Sequence, residues 1–160
     1  QHDDQKLFEF LILEGAQAGL SWTTILNRRN GYRNAFCNFD VNAVSKFNQK
    51  DIKKLLNDDS IIRNKLKINS AINNAKQFIK IQKQFGTFDR YVWSFVNNQP
   101  IKNKFKNHSD LPAYTELSKN LSMDLKKRGF TFVGPTICYA FMQAVGMVND
   151  HIVNCFKYLK

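Results

Sequence analysis

Glutamate is the scarcest charged residue in this chain, present only as Glu9, Glu14 and Glu116, and cysteine and proline occur three times each. Three widely spaced thiols exclude a disulfide-stapled secreted scaffold and point to a reducing compartment. With three prolines and seven glycines in 160 residues, nothing reads as a linker, repeat or low-complexity segment. No apolar run reaches the roughly 18 residues of a membrane span, and no charged-then-apolar signal segment opens the chain. These absences predict a soluble intracellular protein with no membrane partner.

What is present supports a packed interior. Hydrophobic residues make up 43%, including 14 Phe, 5 Tyr and 2 Trp, enough for one domain with a real core. The formal charge is +11 and is unevenly spread. Residues 1–45 are nearly balanced, whereas residues 46–106 hold 14 basic and 4 acidic side chains. An A/T-rich genome inflates Lys, Asn and Ile, but the same bias favours Glu, which is rare here. A polyanionic partner therefore gains weight over a merely solvated basic face.

Helical periodicity dominates, and no run alternates like a strand. Asp3 or Asp4 can cap a first helix through Leu7, Phe8, Leu11 and Ala18, Ser21 a second through Trp22 and Ile25, and Asp40 a short third. Residues 51–56 form a short amphipathic piece. Residues 64–85 form a long basic helix with Leu66, Ile68, Ile72, Ala75, Phe78 and Ile79 inward and Gly86 as its stop. Residues 89–96, 115–128 and 135–145 complete the set, and residues 97–112 form one long loop. The fold class is all-α, a single compact helical domain.

Three features carry chemistry. Glu14 falls on the apolar stripe of the first helix with Leu7, Leu11 and Ala18, while Lys6 and Glu9 lie on the opposite side. A buried carboxylate either belongs to a structural ion pair or faces a cationic, donor-rich ligand, for which Trp22 is a suitable wall. Second, Gly129 and Gly134 bound a turn that leads into a helix with Pro135 first. Such a turn suits either a helix-hairpin-helix, whose free N–H groups bind phosphate, or a plain packing corner. Third, His151 and Cys155 sit one helical turn apart, half of a tetrahedral zinc site or a chance pair. Cys37 and Cys138 read as core.

The stretches Leu13-Glu-Gly-Ala-Gln-Ala-Gly-Leu-Ser-Trp22, Tyr91-Val-Trp-Ser-Phe-Val-Asn97 and Leu125-Lys-Lys-Arg-Gly-Phe-Thr-Phe-Val-Gly134 carry a further signal. With Phe141-Met-Gln-Ala-Val-Gly-Met-Val-Asn-Asp-His151 and Cys155, they resemble the 3-methyladenine DNA glycosylase I family of bacterial base-excision repair enzymes. The resemblance covers essentially the whole chain. It implies a helix-hairpin-helix glycosylase domain over residues 1–160. It also implies a monofunctional enzyme, without lyase activity, that hydrolyses the N-glycosidic bond of 3-methyladenine in alkylated DNA and leaves an abasic site.

By position, Glu14 matches the catalytic pocket carboxylate that hydrogen-bonds the excised base, and Trp22 the ring that stacks on it. Gln17, Gly19 and Leu20 match the turn that probes the gap left by the extruded nucleotide. Gly129, Phe132, Gly134 and Thr136 match the backbone-binding hairpin. His151 and Cys155 match two of four ligands of a structural zinc. The family's N-terminal Cys and His, which complete that site, are absent, and the chain starts at Gln1 rather than Met, so the usual first segment is expected to be missing. Related glycosylases use an Asp beyond the hairpin, where this chain has Asp150, but the family is described as lacking that role. The implied partners are double-stranded DNA containing 3-methyladenine and the free base as product, for a monomer in the bacterial cytoplasm. The alternative is a non-catalytic helix-hairpin-helix module that only binds DNA.

Overall fold

Short polar side chains stand immediately before most helices and close their first turns. The structure, a computed structural model, describes residues 1–158. Asp3 caps α1 (Asp4–Gln17), accepting the Lys6 N–H at 2.8 Å. Ser21 does the same for α2 (Trp22–Leu26), which α3 (Arg29–Ala35) follows. Asp40 caps α4 (Val41–Ser45), and Asn48 with Asp51 forms a reciprocal capping box on α5 (Gln49–Leu56). Asn64, Thr87 and Thr115 cap α6 (Lys65–Phe85), α7 (Phe88–Ser94) and α8 (Glu116–Lys127). Pro135 occupies the first position of α9 (Pro135–Val145), where its missing N–H costs nothing.

Helix α1 runs through the middle. From Leu7 to Ala16 every residue but Phe10 is buried, because α9, α6, α7 and α2 pack around it. Phe8, Phe78, Phe88 and Phe141 are fully buried around it, each ring worth about 1.5–3 kcal/mol relative to exposure. Helices α8 and α9 lean together, and α6 gathers α4, α5 and α7 along its length. No helix among the described residues is long and apolar enough to cross a membrane.

Several expectations need correction. Leu66 is 69% exposed; it lies about 200° around the helix from Ile68, so both cannot face inward. Cys37 is exposed. Cys37, Asn38 and Phe39 take φ of 52°, 53° and 61° in succession, a left-handed turn that sends Phe39 into the core and Cys37 out. Glu9 is buried rather than solvated, because α3 brings Arg29 and Arg33 over it. Helix α1 stops at Gln17, short of Ala18. The loop 97–112 contains a two-residue strand, β1 (Ile101–Lys102), paired in parallel with β2 (Val148–Asn149). Residues 151–158 form turns rather than a helix.

Candidate functional site

Glu14 lies near the C-terminal end of α1 and is 5% exposed. No hydrogen bond or ion pair holds its carboxylate among the described residues. Burial alone pushes its pKa up to about 7, because nothing nearby offsets the cost of desolvating the anion. The carboxylate faces a cavity of about 870 Å³ between the end of α1, the start of α2, α9 and the segment after β2. Such a group fits a ligand that brings its own positive charge and N–H donors.

Trp22 lines the same cavity. It is the first residue of α2, held at that position by the Ser21 cap, whose hydroxyl also bonds the Thr24 hydroxyl at 2.8 Å. Gln17 reaches the cavity one turn beyond Glu14. The same cavity is lined by Asp150, 8% exposed, both of whose oxygens accept hydrogen bonds. Oδ1 accepts from the Asn103 amide at 2.6 Å, and Oδ2 accepts from the Tyr139 hydroxyl and from the Gln143 amide at 2.8 Å. Asp150 thereby ties α9 to the segments beside β1 and β2. Burial and this carboxylate both raise the pKa of Tyr139, keeping its hydroxyl a donor.

His151 and Cys155 also line the cavity, with His151 Nδ1 3.7 Å from Cys155 Sγ. A tetrahedral zinc holds an imidazole nitrogen and a thiolate about 3.6 Å apart, so the pair can chelate. Among the described residues no cluster of three or more His, Cys, Asp or Glu could complete the set. The turn reaches by a bend the proximity that a helical face had suggested.

The remaining residues singled out in the sequence lie outside the cavity. Gly19 and Leu20 form an exposed turn after α1, with Gly19 at φ +75°, where a side chain would be strained. Gly129, Phe132 and Gly134 belong to the segment joining α8 to α9, and Thr136 to the first turn of α9. Gly134 has φ −64° and nothing within 4 Å of where a Cβ would stand. Neither its backbone nor its neighbours in this chain require glycine. Its bareness matters only to something approaching from outside. Sequence reasoning missed Gln143 and the engagement of Asp150; neither follows from a periodicity, since they depend on how the segment after β2 folds back on α9 and, for Asn103, on β1 meeting β2.

A family model described as methyladenine glycosylase matches residues 1–158. The DNA-3-methyladenine glycosylase 1 of Escherichia coli (strain K12) is 47% identical over 156 residues, covering 98% of this chain and 83% of that protein. A crystal structure of a 3-methyladenine DNA glycosylase I superposes with a TM-score of 0.95 at 45% identity, covering 98% of this chain and 86% of the other. Another 3-methyladenine DNA glycosylase I, a variant solved in complex with 3-methyladenine, gives a TM-score of 0.96 at 33% identity over 99% of this chain and 86% of its own.

Proposed function

The chain belongs to the methyladenine glycosylase family, and from that premise we propose that Glu14 and Trp22 receive the alkylated base this enzyme releases. The protein is a DNA repair glycosylase that hydrolyses the N-glycosidic bond of 3-methyladenine in DNA. Alkylation at N3 places a positive charge on the purine and weakens the glycosidic bond. When that bond breaks, its electron pair stays with the base, which leaves as neutral 3-methyladenine. Water adds to the anomeric carbon and loses a proton, and an abasic sugar remains with the strand unbroken. The leaving base needs no protonation, so the protein's task is to extrude, recognise and hold it.

The observation that carries the reading is an unpartnered carboxylate, 5% exposed, beside an aromatic ring in a cavity. A cationic base entering that cavity favours the ionised form of Glu14 and donates to it, while Trp22 covers its face. Adenine in the strand brings no charge to offset the desolvated anion, whereas the released 3-methyladenine, neutral once the bond has broken, is held by N–H donation to the carboxylate alone. A charge-assisted hydrogen bond of about 1.5–3 kcal/mol corresponds to roughly tenfold to hundredfold discrimination. Gln17, at the cavity's edge, probes the duplex with Gly19 and Leu20, and Gly129, Phe132, Gly134 and Thr136 form a helix-hairpin-helix contact to phosphates. The Lys-rich middle of the chain adds affinity without sequence preference. The protein acts on double-stranded DNA as a cytoplasmic monomer.

His151 and Cys155 supply two of four ligands to a structural zinc. The described residues do not complete that set, and no step of the reaction runs through the metal. After dialysis against a mild chelator, this chain is expected to retain well under one equivalent of zinc; one tight equivalent would refute an incomplete site. The function itself is tested by incubating the protein with alkylated duplex and separating the released bases. Wild type should release 3-methyladenine without nicking the strand, and Glu14→Gln should bind the free base at least tenfold more weakly. Unchanged affinity in that variant would remove Glu14 from the receptor.

A further inference from the structure

The turn at residues 17–20 and the segment at residues 129–134 are far apart in sequence, yet one side of α6 holds both. Lys67 Nζ donates to the carbonyls of Ala16 at 2.8 Å and Ala18 at 2.7 Å. These are orphan carbonyls at the C-terminal end of α1, where a cation meets the negative end of the helix. Two turns further along α6, Asn74 grips the backbone of Thr131 from both sides. Its Nδ2 donates to the Thr131 carbonyl and its Oδ1 accepts the Thr131 N–H, each at 2.9 Å.

Between them on the same side, Ser70 bonds the Thr131 carbonyl at 3.2 Å, and Asn73 beside Asn74 donates to the Gly129 carbonyl at 2.8 Å. The next residue, Phe132, has φ +54°, a conformation uncommon for a non-glycine residue, and the double bond from Asn74 fixes the peptide before it. Helix α1, just before the turn, also meets the second segment directly. A Cβ on Gly15 would stand 3.3 Å from the Phe132 carbonyl oxygen.

We propose that Lys67 and Asn74 are positioning residues, which use the rigid length of α6 to set the distance between the duplex-probing turn and the phosphate-binding segment. The proposal rests on the assignment of those two segments to DNA. Seven residues of helix separate the anchor points by about 10 Å. Lys67 grips the C-terminal end of α1 and the first residue beyond it, and Asn74 grips irregular backbone, so loosening them shifts the segments relative to one another while the packing of α1 keeps Glu14 in place. A nucleotide is extruded only when the turn and the segment engage one duplex together, and a misplacement of about 1 Å can cost a hundredfold in rate.

The test compares single-turnover excision from alkylated duplex with the affinity for free 3-methyladenine, using the whole protein. Lys67→Met should lose at least tenfold in excision rate while binding the free base within twofold of wild type, and Lys67→Arg should recover most of the loss. Asn74→Asp keeps the acceptor for the Thr131 N–H and removes the donor; it should lose about fivefold in excision with base affinity retained, and stands in if Lys67→Met does not fold. Excision within twofold of wild type in both variants would overturn the proposal, as would a parallel fall in excision and base affinity. Leu20→Ala serves as the reference. If it leaves excision unchanged, the DNA assignment of the turn itself is wrong, a result distinct from failure of the strut.

Discussion

Two glutamates on α1 are about equally buried, Glu9 at 2% and Glu14 at 5% exposure, and their surroundings have opposite effects. Glu9 Oε1 accepts from Arg29 Nε and Arg33 Nε, both at 2.8 Å, and Lys6 Nζ lies 3.3 Å from Oε2. Burial alone would raise its pKa, but the two guanidinium groups outweigh burial and hold it below the usual carboxylate range. Glu14 has the burial without the partners and rises to about 7. Five residues put the two side chains about 140° apart around the helix, one towards α3 and one towards the cavity. A satisfied buried carboxylate ties the fold together, whereas an unsatisfied one leaves a place for a ligand's charge.

The largest effect should come from Glu14→Gln, with opposite signs on stability and binding. Between the unfolded and folded pKa values of Glu14 the native state holds more protons, so stability falls as pH rises from about 4.5 to about 7. Removing the charge should therefore stabilise the ligand-free protein by roughly 3 kcal/mol above pH 7 and by almost nothing below pH 4.5. Urea denaturation across that range checks it; equal stability at pH 8 would mean that Glu14 has a partner. The gain comes with the expected loss of base affinity, a trade of stability for function.

Glu9→Gln should do the reverse. It leaves Arg29 and Arg33 without their shared anion and should destabilise by about 2 kcal/mol at pH 7. That figure is moderated because the two arginines remain 28% and 33% exposed. Because the pKa of Glu9 is lowered, its contribution is present above the unfolded value and lost as pH falls through the folded one. The deficit of the variant should shrink in acid, as the denaturation midpoint will report.

A smaller effect separates base from backbone recognition. Gly134→Val should leave the fold intact, since nothing lies within 4 Å of the new Cβ. It should weaken binding to all duplexes alike, about fivefold, with free-base affinity unchanged. A changed base preference would move Gly134 out of the proposed phosphate contact. The smallest effect tests the independence of the two glutamates. In the double variant the two stability changes should add to within about 0.5 kcal/mol, because they share no partner. A larger coupling would show that the network around Glu9 reaches the cavity.

Residue by residue, helix starts were the most legible part of the chain. Asp3 (of the two candidates Asp3 and Asp4), Ser21 and Asp40 cap the helices they were expected to open, and the expected helix starts at residues 64 and 115 fall on the caps Asn64 and Thr115. Capping is a local event between residues two or three apart, so it is written in local sequence. Glu14 was legible as a carboxylate on an apolar stripe for the same reason. Glu9 was not, because the stripe argument assumes one buried side and α1 is packed almost all round. Helix α3 was missed, and with it the two arginines that make Glu9 tolerable. Cys37 was misplaced because a run of three left-handed residues breaks any periodic rule.

By itself the sequence determined the helical class, most helix ends, the basic middle and the motifs that identify the family, all properties of neighbouring residues or of order along the chain. Only the tertiary structure decided which of two buried carboxylates is free, since that depends on whether another helix delivers a cation to it. Tertiary structure alone also brought Asn103, Tyr139 and Gln143 onto Asp150, and made one side of α6 the common support of two distant segments. Hydrogen bonds between residues remote in sequence form only after the core has set the distances between elements, and no periodicity in the chain records them.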